Sequence, residues 1–151
     1  MTPPTPTPAF PPVRDLVPHK PPMVLLDRVL AYDADSVTCE VAIAVDSPFV
    51  EDGRVPAVIG IEYMAQCVAT FAGLTAHAQG SPPRIGFLLG CRELTLSTDA
   101  FAVGDRLIVQ ARRTWGDSDL GNFACRVERD GQEVAAGTLN VYQGPLPEDA
   151  Q

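Results

Sequence analysis

The apolar positions of this chain follow two different spacings. From Ser36 to Val45 they alternate with polar or small residues, and this period of two predicts a half-buried strand. The earlier run from Val24 to Tyr32 fits either a short helix or a strand, because its periodicity does not separate the two.

The second spacing belongs to a long helix. From Pro56 to His77 apolar residues occupy nearly every face, which is typical of a helix surrounded by other elements. Proline suits the first turn of a helix, and Gly80 with the two prolines that follow marks its end. Residues 46–55 are rich in acids and turn formers and predict a loop that leads into this helix.

Four strand-like segments follow the helix. They cover residues 84–98, 106–115, 122–129 and 133–142, and turn-forming residues separate them. Asp130-Gly131 between the last two is a strong hairpin signal. A strand, one long buried helix and then a series of strands predict an α+β domain in which an antiparallel β-sheet is wrapped around one long central α-helix.

Composition sets the domain boundaries. A chain of 151 residues with 46 % hydrophobic residues supports one domain with a real core. Nine of the 15 prolines precede Met23, so residues 1–15 are predicted to be a disordered Pro-rich arm. The domain is then predicted to cover residues 16–143, and residues 144–151 are predicted to form a flexible tail.

Charge and cysteine usage exclude several classes of protein. A net charge of −8 argues against a nucleic-acid partner, which requires a basic surface. The apolar helix is interrupted by Glu62 and Gln66, which predicts a core helix and no membrane span. The N-terminal residues lack the pattern of a secretory signal. The four cysteines are widely spaced in apolar patterns, so we expect reduced core thiols in a cytoplasmic protein without a metal site.

One carboxylate stands out in the helix. Glu62 is the only Asp, Glu, Lys or Arg between Val55 and Pro83. Burial favours the protonated form of a carboxyl group, which suits a general acid. Gln66 lies one turn further on the same helix face and is placed to orient that carboxyl group. The alternative interpretations are a salt bridge to a strand arginine and a carboxylate at a subunit contact.

Three separated motifs carry a resemblance to a known family. They are PHKPPMVLLDRV at residues 18–29, PAVIGIEYMAQ at 56–66 and FLLGCRELTLSTDAFAVGD at 87–105. Together they resemble the hot-dog fold 3-hydroxyacyl-acyl carrier protein dehydratases, in particular the aryl polyene branch. The resemblance implies removal of water from a 3-hydroxyacyl thioester held on the phosphopantetheine of an acyl carrier protein. It also implies no cofactor of the enzyme's own, and a homodimer or a heterodimer with a related dehydratase.

The resemblance also assigns roles to helix residues. It makes Glu62 catalytic, and it places the backbone N–H of Ala57 on the thioester oxygen, although the family has glycine at that position. The N–H of Val58, also at the positive end of the helix, is a second candidate for this contact. The family's histidine before the helix is missing, because residues 48–56 read PFVEDGRVP.

The base must therefore come from one of two histidines. His77 lies about four turns beyond Glu62, too far to share a site in one subunit, and it is interpreted as a residue of the helix C-terminus. His19 resembles the family's Pro-His-Arg/Lys motif and is the candidate base, with simple packing of the first element as the alternative. We expect His19 to reach Glu62 across a cavity between two facing subunits.

The remaining candidates concern binding. Tyr63 is a candidate substrate contact, or a core aromatic residue. Four arginines are candidates for the phosphopantetheine or the acidic carrier surface, with solvated strand residues as the alternative: Arg84, Arg92, Arg112 and Arg113. Two rival functions remain at this point, a hot-dog acyl thioesterase and a non-catalytic partner subunit of a heterodimeric dehydratase.

Overall fold

A computed structural model describes residues 10–81, 86–116 and 119–143. Helix α1 covers Gly60–Ala78 and follows a 3-10 turn at Ala57–Ile59. Eight strands complete this part of the chain: β1 Arg28–Tyr32, β2 Ser36–Ala42, β3 Arg54–Pro56, β4 Phe87–Leu96, β5 Ala100–Ala102, β6 Arg106–Gly116, β7 Leu120–Arg129 and β8 Gln132–Tyr142.

Six of the strands form one antiparallel sheet in the order β1-β2-β6-β7-β8-β4. Its inner face packs on α1, where Met64 and Cys67 of the helix are fully buried against Val37 and Val109 of the sheet. The predicted α+β fold, an antiparallel sheet around one long helix, is confirmed. Although α1 is apolar and long enough to cross a membrane, most of it is buried inside this domain.

Local signals at the element ends behave as the sequence predicts. Asp130 and Gly131 have φ of 53° and 77°, the left-handed pair that a tight hairpin between β7 and β8 requires. Gly80 has φ of 69°, and Ser81 N–H donates to the Ala76 carbonyl at 2.8 Å, which closes the end of α1.

Three elements differ from the prediction. The ambiguous run 24–32 contains a strand, because Arg28–Tyr32 pairs with β2 along the sheet edge. The helix starts later than Pro56, since residues 57–59 form a 3-10 turn first. Strands β3 and β5 pair with each other in a separate two-stranded sheet. Each has three residues, too few to show a strand pattern in the sequence.

Residues 10–19 pack on the domain. Val13 lies in a 3-10 turn at 2 % exposure, and Leu16 is equally buried, while Phe10 is half-buried against the core. Contact with the core therefore begins before residue 16, the predicted first residue of the domain. Residues 1–9 of the predicted arm and the predicted tail, 144–151, lie outside the described residues.

All four cysteines are free thiols. Cys39, Cys67 and Cys125 are buried, and Cys91 on β4 is half-buried. Burial raises the pKa of Cys67 well above its usual value and that of Cys125 to about 12, so both are protonated at neutral pH. This agrees with the predicted role of the cysteines as reduced core residues.

One buried acid sits on the outer face of the sheet. Glu40 is 6 % exposed and its carboxylate accepts hydrogen bonds from Arg106, whose Nε lies 3.0 Å from Oε2, and from Arg28, whose Nε lies 3.3 Å from Oε1. These two arginines hold the pKa of Glu40 below its usual value of 4.5. The ion pair therefore ties β1 and β6 to the strand between them.

We expect Glu40→Gln to lower the free energy of unfolding by about 1–2 kcal/mol at pH 7, because it removes charge-assisted hydrogen bonds from a buried group. The folded-state pKa is depressed, so this stabilisation is present above pH 4.5 and is lost as the pH falls through the folded value. Denaturant unfolding of both proteins at pH 7 and at pH 3 measures it. The control is Glu128→Gln, whose carboxylate pairs with Arg126 at 3.2 Å and with no other arginine of the described residues. An equal difference between wild type and Glu40→Gln at both pH values would contradict the prediction.

Candidate active site

The two predicted catalytic side chains meet in one chain. His19 Nε2 lies 3.5 Å from Glu62 Oε1. The expectation that His19 reaches Glu62 is confirmed, but the expectation that they come from facing subunits is wrong. The segment that carries His19 crosses the N-terminal half of α1 in its own subunit, so the pair needs no second copy.

The side chain of Gln66 holds Glu62 and the segment after His19 in place. Its Nε2 donates to Glu62 Oε1 at 3.1 Å and to the Met23 carbonyl at 2.8 Å, while its Oε1 accepts from Leu25 N–H at 2.8 Å. The side chain is fully buried, and these three bonds use both ends of its amide. Gln66 therefore orients the carboxyl group as the sequence predicts, and it does not line the cavity described below.

The backbone of Leu16, three residues before His19, approaches α1 closely at Gly73. A Cβ atom added to Gly73 of α1 would stand 2.0 Å from the Leu16 carbonyl oxygen, so only glycine fits there. Leu16 and Val17 are buried immediately before Pro18 and His19. His19 is thus fixed between two anchors on α1, Gly73 before it and Gln66 after it.

The pair opens into a cavity of about 210 Å³. Ala65 and Ala69 of α1 form one wall, and Phe87 and Leu88 at the start of β4 form another. The Glu62 side chain is 40 % exposed and that of His19 is 30 % exposed. The buried acid predicted from the apolar helix is therefore half open to solvent, because this face of α1 points away from the sheet.

The structure corrects two predicted substrate contacts. Ala57 is buried and its N–H donates to the Asp99 carbonyl at 3.0 Å, so that group is not free to bind a thioester oxygen. The reason is the small β3–β5 sheet, whose hydrogen bonding continues to residue 57. Tyr63 is 2 % exposed and packs on Phe101 with ring centroids 5.8 Å apart. Burial raises the pKa of Tyr63 to about 12, and the residue belongs to the core.

Other candidates lie away from the pair. Val58 is exposed in the turn before α1 and does not line the cavity. His77 lies in the last turn of the helix, as the sequence predicts, and is exposed. Among the candidate arginines, Arg84 lies outside the described residues, whereas Arg113 lines a second cavity further along α1. Sequence reasoning did not find the role of Gly73, which has no local signal that distinguishes it.

Comparisons of the sequence with known proteins identify a family. The family model ApeP-like, described as ApeP dehydratase, matches residues 11–151. A curated relative, the 3-hydroxyacyl-[acyl-carrier-protein] dehydratase FabZ of Streptococcus thermophilus, is 25 % identical over 134 residues, which is 87 % of this chain and 94 % of the relative. The FabZ protein of Streptococcus sanguinis is also 25 % identical and is covered to 95 % of its length.

Comparisons of the fold agree with the family. The dehydratase heterocomplex ApeI:P from Xenorhabdus doucetiae contains a chain that matches with a TM-score of 0.89 and 32 % identity, covering 94 % of this chain and 97 % of that chain. Zebra fish thioesterase superfamily member 2 matches with a TM-score of 0.64 at 13 % identity over 87 % of this chain and 91 % of that one, a likeness in fold alone.

The contact between Gly73 and Leu16 gives a testable prediction. We expect Gly73→Ala to destabilise the fold by about 1–3 kcal/mol, because the new methyl group collides with a backbone carbonyl. The segment before His19 must then move, so activity should fall on the order of tenfold or more, since a displacement of about 1 Å suffices for such a loss. Thermal unfolding and turnover are the two measurements.

Gly60→Ala serves as the matched control on the same helix. Its added Cβ would meet Phe101 at 3.5 Å, an ordinary contact. Wild-type stability and turnover in Gly73→Ala would show that Leu16 does not approach the helix as closely as the structure indicates.

Proposed function

The chain belongs to the ApeP-like family of dehydratases, and from this premise we propose that it converts 3-hydroxyacyl-acyl carrier protein to trans-2-enoyl-acyl carrier protein. The reaction serves chain elongation in fatty acid or aryl polyene synthesis, in the cytoplasm. The observation that carries the proposal is the His19–Glu62 pair, which stands 3.5 Å apart at the mouth of a cavity with mostly apolar walls.

His19 acts as the base. Elimination begins with removal of a proton from C2 of the acyl group, and a neutral imidazole has the basicity for this step near neutral pH. Nε2 is the nitrogen that faces Glu62, so it is placed beside the carbon skeleton that lies between the two groups. The electron pair of the C2–H bond forms the double bond between C2 and C3.

Glu62 acts as the acid. It gives its proton to the departing C3 hydroxyl, which leaves as water. Oε1 is held by Gln66, and none of the described residues donates to the second oxygen, Oε2, which can turn to the substrate. After the reaction the proton on His19 Nε2 passes to the Glu62 carboxylate over the 3.5 Å between them, and the pair is restored.

The open side of the site is proposed to face another subunit. Strand β4 is the last strand of the sheet, and it exposes five large apolar side chains: Phe87, Leu88, Leu89, Leu94 and Leu96. An exposed apolar edge strand invites pairing with another chain. The ApeI:P protein is a heterocomplex of dehydratases. We therefore assign β4 to a contact with a related dehydratase, or with a second copy of this chain, which would cover Phe87 and Leu88 at the cavity.

The two rival functions make different demands on the same residues. A non-catalytic partner subunit has no need for an acid held by Gln66 beside a histidine, so the retained geometry favours an active subunit. A thioesterase would release the whole acyl group instead of water. The mass of the acyl chain after incubation separates the three functions.

We expect Glu62→Gln and His19→Gln each to reduce dehydration on the order of a hundredfold or more, because each removes one proton-transfer group. Purified protein, alone and with its partner dehydratase, is incubated with 3-hydroxyacyl-acyl carrier protein, and loss of one water is followed by mass. Glu133→Gln, an exposed acid away from the cavity, is the control and should be unaffected. Near-normal turnover in Glu62→Gln would overturn the assignment, and release of the free acid by wild type would favour a thioesterase.

The role of β4 is tested by Leu89→Lys. Leu89 is 61 % exposed at the sheet edge, and a charge there should prevent an apolar contact. We expect the dimer that sedimentation detects, with a second copy or with the related dehydratase, to dissociate in this variant. Val45→Lys is the control, because Val45 is 80 % exposed and lies away from β4. An unchanged dimer in Leu89→Lys would move the interface elsewhere.

A further inference from the structure

The proposed elimination needs a hydrogen-bond donor for the thioester carbonyl oxygen. Negative charge develops on this oxygen as the C2 proton leaves, and a donor that faces it lowers the barrier. The N–H of Ala57 is bonded to the Asp99 carbonyl, and Val58 does not line the cavity. The amide of Gln66 already donates to two acceptors. The donor must therefore come from another wall of the cavity.

Gln143 is the residue that supplies a donor at this cavity. It lines the same cavity as His19 and Glu62, and the other lining residues are proline, glycine or apolar. Among the described residues, Gln143 therefore carries the only side-chain hydrogen-bond donor at the cavity besides the catalytic pair. The residue is half-buried, so its amide is in reach of a ligand.

The sheet fixes the direction of the Gln143 side chain. Its backbone N–H donates to the Asp119 carbonyl at 2.6 Å, which extends the pairing of β7 with β8 one residue past the end of β8. Side chains two residues apart on a strand share a face of the sheet. Val141 is buried and lines the cavity, so Gln143 faces the cavity from the same side.

The amide of Gln143 lies beside Gly86, which also lines the cavity. Phe87 of β4 pairs with Tyr142 of β8, so Gly86 is opposite Gln143. A Cβ atom added to Gly86 would stand 3.4 Å from Cγ and 3.7 Å from Nε2 of Gln143. None of the residues in the described part of the chain bonds to the side-chain amide of Gln143, so its N–H groups are available to a substrate.

We propose that the side-chain amide of Gln143 donates a hydrogen bond to the carbonyl oxygen of the substrate thioester and is a third catalytic residue of this site. This inference rests on the proposed function. As His19 Nε2 takes the C2 proton, the electron pair of the C2–H bond moves onto the carbonyl oxygen, where the amide stabilises it. The electron pair then returns to form the double bond between C2 and C3, and the hydroxyl leaves with the proton of Glu62.

An uncharged donor suits a cavity that also holds the general acid. A lysine or arginine at this position would favour the ionised form of the Glu62 carboxyl group, which then has no proton to give. The amide of Gln143 stabilises the oxygen without this effect.

The test compares Gln143→Leu and Gln143→Glu with wild type, in the assembly in which the protein is active. The substrate is the 3-hydroxybutyryl thioester of N-acetylcysteamine, and loss of water is followed by mass. In Gln143→Leu, which cannot donate, we expect kcat to fall by about tenfold to a hundredfold at nearly constant KM, because the charge develops only in the transition state. In Gln143→Glu, kcat should fall further, since a carboxylate then faces the developing charge. Both variants keep the backbone N–H that binds Asp119.

Gln132→Leu is the matched control. Gln132 is the first residue of β8, is exposed and lines neither of the two cavities, so its kcat should stay at the wild-type value. Thermal unfolding of each protein separates loss of fold from loss of catalysis, and if Gln143→Leu does not fold, Gln143→Glu decides.

A wild-type kcat in the folded Gln143 variants, or a raised KM at wild-type kcat, would overturn this inference and leave the dehydratase function in place. An equal loss of kcat in Gln132→Leu would also overturn it. A wild-type assembly that does not dehydrate the thioester would overturn the proposed function itself.

Discussion

The amide of Gln66 is the interaction on which the site depends. It is fully buried, and its bonds to Met23, Leu25 and Glu62 join the segment after His19 to the acid on the helix. A buried amide without partners is costly, so the fold is stable only when these groups meet. Assembly of the domain and alignment of the acid are therefore one event.

Different faces of the same helix belong to the core and to the candidate site. Met64 and Cys67 face the sheet and are fully buried, while Glu62, Ala65, Ala69 and Ala72 are half-buried. A helix that is apolar nearly all round would be expected to bury every face. Here the sheet covers only part of α1, and the remaining face, together with β4, forms the walls of the cavity at the candidate site.

The adjacent residues Arg112 and Arg113 of β6 lie on opposite faces of the sheet. Arg113 lines the second cavity beside α1, and Arg112 lies on the outer surface of the sheet. Successive side chains of a strand point to opposite faces of the sheet, so residues that are neighbours in the sequence have different environments. The sequence alone offers both as equal candidates, and only the position of β6 in the sheet distinguishes them.

The sequence by itself determined the class of fold, the long helix, the hairpin at Asp130-Gly131 and the choice of His19 and Glu62 as the candidate pair. Periodicity, turn chemistry and rare residue types are local properties, and local properties can be read from the chain. The tertiary structure decided what depends on distant contacts. Met23 and Gln66 are 43 residues apart in the chain, yet their contact places His19 beside Glu62 in one subunit. Likewise, only the pairing of β3 with β5 reveals that the N–H of Ala57 is already bonded. No spacing along the chain records such contacts, because they arise from the packing of separate elements.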